Sequence, residues 1–250
     1  MVRPVIQHIQ NKITKAELQE DPFKHLVIEN FIPEKYGRKI AEVYPGPDSE
    51  YWSVNKSSGQ TVGNKMMSMK PNSDVLLPPR IRDLIYFLNG QTITNLLGAK
   101  FGFEEKTLMA DTQLCGAGLH SIGKDGFLHI HADFNYHPTL SVHRRLNLLL
   151  YLNYDWKEEW GGDVELWDTE CKKMKVKVPP FGGHCVIFET NDNSYHGHPH
   201  PLTCPEEARR NSIALYYYTF PEICKPIIDK NIRTTDYHII AERKKWRKQK

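Results

Sequence analysis

The sequence predicts an α+β protein, a double-stranded β-helix (jelly roll) propped by N-terminal helices. Three observations lead there. Helical hydrophobic spacing marks the residues before Gly102; after it the period changes from 3.6 to 2 and holds almost to Phe220; and the segments of period two are short, bounded by Gly, Pro and Asn, with no helix between them. Closely spaced strands without crossover helices give an antiparallel roll, not a parallel βαβ sheet.

In chain order, residues 1–21 read as a polar arm with one short helical pattern at Lys15–Leu18. Pro22–Phe31 reads as a strand, and Pro33 opens a helix through Tyr44 that Pro45-Gly46-Pro47 stops. Asp48–Ser73, rich in Ser, Asn and Gly with scattered Met and Trp, reads as a long excursion of the kind that forms lids. Pro79-Arg80 begins an amphipathic helix on Ile81, Leu84, Ile85 and Leu88; Asn89-Gly90 interrupts it before Ile93, Leu96 and Leu97 resume the pattern. Expected strands then follow at Thr112–Cys115, Phe127–Asp133, Arg145–Asn153, Asp163–Trp167, Met174–Val178, Cys185–Thr190 and Asn211–Phe220. A single domain over residues 22–223, with its jelly-roll core at about 110–220, is thereby expected, followed by a basic extension at 224–250 that opens on a weak helical pattern.

Composition excludes several classes. With 25% charged and 40% hydrophobic residues in 250, the chain can bury a full core. The net charge of +3 is concentrated in the terminal run Glu242–Lys250, so on charge grounds the body is not a nucleic-acid binder. No apolar run has the length of a membrane span, and Met1-Val2-Arg3-Pro4 is not followed by a signal-peptide core; an intracellular, cytoplasmic protein is expected. Five cysteines without a C-x-x-C spacing suit free thiols rather than a disulfide framework or zinc ribbon.

Chemistry concentrates in Gly126–Asn135. This stretch alternates at period two and delivers His131 and Asp133 where the strand should end. An imidazole and a carboxylate so placed are two-thirds of a 2-His-1-carboxylate metal face, which a distant His would complete. His196, His198 and His200 follow the apolar strand Val186–Phe188 in a loop able to fold back over the sheet. Beyond them, Arg210-Asn211-Ser212 opens a strand whose alternation puts Arg210, Ser212, Ala214 and Tyr216 on one face. A guanidinium inside an apolar barrel needs an anion, and a ligand carboxylate held bidentately would serve.

The ordered set His131-Ala-Asp133, Arg145-Leu-Asn147-Leu-Leu-Leu-Tyr151-Leu-Asn153-Tyr-Asp155-Trp156, Gly161-Gly162-Asp163-Val-Glu165, Phe188, His196 and Arg210-Asn-Ser212 resembles the Fe(II)/2-oxoglutarate-dependent oxygenase superfamily, in its prolyl-4-hydroxylase-like branch. The resemblance spans roughly residues 110 to 220, and residues 22 to 44 resemble that branch's support layer. It implies that His131, Asp133 and His196 bind Fe(II), that Arg210 grips the distal carboxylate of 2-oxoglutarate with Ser212 beside it, and that Tyr151 donates to the same carboxylate, Asn147 sharing its face. It further implies O2 as oxidant, release of succinate and CO2, and hydroxylation of a small molecule or peptide. Collagen-type members carry Lys at the oxoglutarate position; Arg210 is instead what hypoxia-factor prolyl hydroxylases have.

Other readings weigh in. A jelly-roll module could use the same ligands for structural Zn²⁺ without catalysis. Family halogenases replace the Asp ligand by Gly or Ala, so Asp133 disfavours halogenation. His198 and His200 compete with His196, which is preferred for its distance from Phe188 and because Pro199 and Pro201 restrict its neighbours. His129 shares a strand face with His131 and reads as structural. Arg144 and Arg145 read as solvated, Trp156, Trp160 and Trp167 as packing, and Asn135 as a substrate contact.

Overall fold

The computed structural model describes residues 1–53, 61–70, 73–114, 116–137, 140–220 and 235–238. The expected helical pattern from Cys224 onward, the basic tail, Cys115 and part of the Asp48–Ser73 excursion lie outside these residues.

The first element corrects the sequence reading. Residues 1–21 are not an unpatterned arm: α1 spans Arg3–Lys15, with Pro4 in its first turn. Val5, Ile9 and Ile13 recur every four residues, and all three are buried. Four aliphatic residues in thirteen, with Ile6 off the buried stripe, are diluted by polar neighbours, which hid it. β1 (His25–Ile28) and α2 (Glu34–Ala41) follow as expected, α2 stopping three residues short of Tyr44. The excursion then contains an unforeseen strand, β2 (Val62–Met67), and buries Tyr51 and Trp52. Asn89-Gly90 divides the next pattern into α3 (Pro79–Leu88) and α4 (Gln91–Phe101), and Gly102 ends α4 in the left-handed conformation.

Beyond Gly102 the chain is nearly all strand: β3 (Met109–Ala110), β4 (Gly118–Ala132), β5 (His143–Tyr151), β6 (Val164–Trp167), β7 (Met174–Val178), β8 (Cys185–Glu189), β9 (His196–His198), β10 (Arg210–Thr219) and β11 (Asp236–His238). Two expectations shift. Thr112–Leu114 is a turn after β3 rather than a strand, with Leu114 at φ +53°. The histidine-rich loop is itself a strand, β9. The path β1-β8-β5-β10-β4-β9-β6-β7 is antiparallel throughout; β2 and β11 also pair with β4, and β3 with β10. The mostly antiparallel sheet wraps into the nearly closed jelly roll that the sequence predicts.

β5 explains how the two sides of the sheet differ. Leu146, Leu148 and Leu150 join the large core with α1, α3 and α4, while Asn147, Leu149 and Tyr151 face the interior of the roll. A strand covered on both faces reads as the near-continuous apolar run Leu-Asn-Leu-Leu-Leu-Tyr-Leu. Among the described residues no helix is long and apolar enough to cross a membrane.

Replacement of Ile9, fully buried in α1, tests whether the N-terminal helix belongs to the domain. Ile9→Ala should lower unfolding free energy by about 2–4 kcal/mol in urea titrations, as for a large-to-small core change; a change below about 0.5 kcal/mol would mean that α1 is not docked.

Candidate active site

Two antiparallel strands bring the distant histidine home. β4 carries His131 and is followed at once by Asp133, and β9 pairs His196 directly with His131, their rings 4.4 Å apart. Close approach of these strands requires Gly197, where a Cβ would lie 2.8 Å from the carbonyl oxygens of Leu128 and His129. One ligand atom from each of His131, Asp133 and His196 falls within 4.8 Å of the others, the single such group among the described residues. Nε2 of His131 is 3.4 Å from Asp133 Oδ1, and Nε2 of His196 is 3.5 Å from Asp133 Oδ2.

The tautomers suit a cation. His131 Nδ1 lies 2.8 Å from the carbonyl of His129, and His196 Nδ1 lies 3.0 Å from that of Ser194. A carbonyl only accepts, so each Nδ1 carries the proton and each Nε2 offers a lone pair to the shared point. Burial pushes the His196 imidazole down to about 3, against a partial pull from Asp133, which keeps that lone pair free at neutral pH. For Asp133, burial would raise the carboxyl, but Arg144, His196 and His131 outweigh it and hold it well below the usual range.

Arg144 is the largest correction to the sequence reading. It is fully buried, not solvated; its Nη2 is 2.8 Å from Asp133 Oδ2, and its guanidinium lies 3.4 Å over the Tyr216 ring and 4.6 Å from that of Phe134. Strand alternation from Asn147 points to Arg145 as the inward residue. A bulge changes this: Leu146 pairs with Tyr217 but Arg144 pairs with Tyr218, leaving Arg145 over and switching the parity. Arg145 is buried too, over Phe103. Asn147, expected at the oxoglutarate group, donates through Nδ2 to Asp133 Oδ2 at 3.1 Å.

A similar irregularity reassigns His129. Pairing of β4 with β9 shifts between Leu128 and His131, so these two line the cavity while His129 lies off its wall, its ring 5.2 Å from Phe127. His198 lines the cavity opposite Leu128; His200 is exposed, 4.0 Å from Glu165. Asn135 is buried outside the cavity lining, its carbonyl accepting from the Arg144 amide. Trp156 and Trp160 pack edge to face, and Trp167 donates to Glu165.

Arg210 sits on the same wall. Its Nε donates to the carbonyl of Gly162 at 2.6 Å and its Nη2 to the Tyr151 hydroxyl at 3.0 Å. Gly162 has φ +84°, and a Cβ there would meet Leu202 at 2.7 Å and the Arg210 stem at 3.0 Å, so a glycine at 162 lets this side chain pass. Since the Tyr151 oxygen accepts from Arg210, its own proton is free to point into the cavity. Ser212 pairs with both Tyr151 and His120, extending the row. The cavity holds about 260 Å³, walled on its apolar sides by Ile122, Leu128, Leu149 and Val164, with the Tyr237 ring of β11 5.2 Å from that of His131.

Lys65 and His120 are among the lining residues that escaped the sequence reading. Lys65 lay in the presumed excursion, although Lys65, Met67 and Met69 alternate at period two and all line the cavity. His120 was missed because β4 begins at Gly118, not Phe127; burial and the nearby Lys65 hold its imidazole well below its ordinary value.

Residues 117–218, which include the three clustered ligands and Arg210, match the family model of the 2OG-Fe(II) oxygenase superfamily. The matched residues are thus similar to a superfamily that uses Fe(II), 2-oxoglutarate and O2, and in fold the chain is prolyl 4-hydroxylase-like. A prolyl 4-hydroxylase from Phytophthora capsici superposes with a TM-score of 0.57 at 17% identity, over 90% of this chain and 69% of that one. One from Pseudomonas putida gives 0.52 at 14%, over 86% and 98%; a Trichoplax adhaerens prolyl hydroxylase in complex with a hypoxia inducible factor peptide fragment gives 0.52 at 17%, over 86% and 90%. A search of the curated proteins finds no match in sequence. The His-Asp-His cluster, with both imidazoles turned by backbone carbonyls, is a fitting donor set for Fe(II).

Two outcomes follow. Arg144→Gln should weaken Co²⁺ binding, followed by absorbance, about 10- to 100-fold, as loss of a hydrogen-bonded support to a metal ligand does; an unchanged affinity would show that the ion pair is irrelevant to the cluster. In the metal-free protein the His196 value of about 3 lies below its ordinary 6.5, so the unfolded chain takes up the proton first. Stability should be complete above pH 6.5 and drain away as pH falls toward 3, with His196→Leu flattening the slope in urea titrations at stepped pH.

Proposed function

We propose that this chain is an Fe(II)- and 2-oxoglutarate-dependent hydroxylase of a small molecule or of a peptide side chain, releasing succinate and CO2. The observation that carries the proposal is the hydrogen-bonded pair Arg210 and Tyr151, suited to seat a carboxylate, on the wall of the cavity that also holds the His131, Asp133 and His196 cluster. A structural zinc site needs no such seat and closes its coordination with four protein ligands. Here three cluster, beside an open volume.

In this reading His131 Nε2, a carboxylate oxygen of Asp133 and His196 Nε2 hold the ion. When bound, it supplies the redox chemistry that couples oxoacid decarboxylation to oxidation of the substrate. The protein does the rest. Arg210, fixed at Nε by Gly162, presents its remaining N–H groups to the distal carboxylate of 2-oxoglutarate, and the Tyr151 hydroxyl adds a donor. Burial raises the Tyr151 phenol while Arg210 pulls it partly back, and the balance keeps it protonated and able to donate. Leu149, Val164 and Ile122 exclude water from the seat. The Trichoplax relative's peptide complex supports a peptide as one substrate class; the volume of about 260 Å³ suits a side chain or a small metabolite rather than a folded surface. Cysteines at irregular spacing favour the cytoplasm.

Anaerobic addition of 2-oxoglutarate to the Fe²⁺-loaded protein should produce a metal-to-ligand charge-transfer band, and aerobic incubation should yield succinate. Arg210→Ala should raise the 2-oxoglutarate Kd about 30-fold or more, as expected when a buried charge pair loses one partner. Failure of the wild type to bind the oxoacid, or succinate production surviving in His131→Ala, would overturn the reading.

A further inference from the structure

The cavity wall beside the cluster is completed by β11, and strand register places it there. β11 pairs antiparallel with the end of β4: Asp236 with Ala132, Tyr237 with His131 and His238 with Ile130. On its other side, His131 pairs with His196 of β9. Directly paired residues share a face, so His196, His131 and Tyr237 form one row across three strands. All three line the cavity, with ring centroids 4.4 Å and 5.2 Å apart along the row. Thr235, two residues before Tyr237, lines it too, as the alternation of an extended chain requires.

The edge that β11 covers is one that β2 leaves. β9 pairs with β4 at Leu128 and at His131, so β2 opposite the first and β11 opposite the second share the other edge of β4. β2 reaches as far as Val62 against Leu128, and the His129 amide still donates to the Thr61 carbonyl at 2.9 Å. Beyond that point, among the described residues, β11 alone pairs with Ile130–Ala132 on this side. A strand edge offering N–H and C=O groups is a template for any extended chain. β11 is a light occupant of it. The strand is three residues long, pairs with β4 only among the described residues, and leaves Tyr237 36% exposed where His131 and His196 are 4% exposed.

Geometry decides what such an edge reads. A chain paired there antiparallel is held by its backbone and delivers one side chain opposite His131, onto the cavity face. That side chain meets the His131, Asp133 and His196 cluster; its two neighbours point away, and the second residue before it returns to the cavity. A small metabolite has no use for the edge.

We infer, on the function proposed above, that the substrate is a peptide bound as an extended strand on Ile130–Ala132 in place of β11, its oxidised residue taking the position of Tyr237. β11 is a built-in competitor that the substrate displaces.

The test uses the full chain loaded with Mn²⁺ and, as the competing strand, a synthetic peptide copying residues 234–240. Tethered β11 is present at an effective concentration of about millimolar, so it should suppress binding of a free copy. Two variants empty the edge. Successive N–H groups of a strand point to opposite sides, so Asp236→Pro combined with Tyr237→Pro removes whichever one donates to β4. Tyr237→Gly instead removes the ring and weakens the strand. The peptide should bind either variant about tenfold or more tightly than wild type, the factor expected if β11 is seated in about nine molecules in ten. In the bound peptide, Mn²⁺ should relax the ring protons of the central tyrosine more than the methyl protons of the terminal isoleucine. A copy N-methylated at the amides corresponding to Asp236 and Tyr237 should not bind. Equal affinity in wild type and both variants, no saturable binding to either variant, a central ring relaxed no more than the terminus, or undiminished binding of the N-methylated copy overturns the inference while the hydroxylase reading stands. A wild type that binds no 2-oxoglutarate overturns both.

Discussion

The ion pair between Arg144 and Asp133 is the constraint around which the interior of the roll is arranged. A buried carboxylate would ordinarily take up a proton, and a buried guanidinium cannot shed one. Each makes the other tolerable at 2.8 Å, and both aromatic faces of the guanidinium's surroundings, Tyr216 and Phe134, add to its stability. The consequence reaches the cluster. With Asp133 Oδ2 engaged by Arg144 and Asn147, the carboxylate is both oriented and kept anionic. Metal affinity would otherwise compete with protonation at the same oxygen atoms.

Around that pair, β4 acts as a common spine. It pairs with β10, which supplies Arg210 and Ser212; with β9, which supplies His196; with β2, which supplies Lys65; and with β11, which lays Tyr237 against His131. Four of the strands that line the cavity are thus referenced to one. Regular antiparallel pairing would fix the register of every contact, and the irregularities are where the site departs from a plain roll. The bulges at Arg145, between Leu128 and His131, and at Asn64 decide respectively which arginine enters, which histidine is excluded and which lysine faces the cavity.

That pattern also explains what the sequence could reveal. The roll, the α3–α4 break at Asn89-Gly90 and most strand bounds were legible, because hydrophobic period and turn residues set them locally. His131, Asp133, His196, Arg210 and Tyr151 were legible as an ordered set, and they line one cavity. Arg144 and the position of His129 were not legible, since each depends on a one-residue change of parity that alternation cannot register, and Lys65 was lost because its strand, β2, lay in the presumed excursion. α1 was lost for another reason: its stripe is only Val5, Ile9 and Ile13, too sparse to stand out among polar neighbours until α4 and the sheet cover it.

The Gly162 carbonyl, described above only as an acceptor for Arg210, has a metrological meaning. A guanidinium tied at Nε cannot follow a ligand that is too short or retreat from one that is too long. In the proposed reading the other end of the oxoacid is equally fixed, by an ion held between two strands of the same sheet. The span between seat and cluster is then a ruler ruled in backbone geometry, and a dicarboxylate one carbon shorter or longer is rejected by length before its chemistry matters.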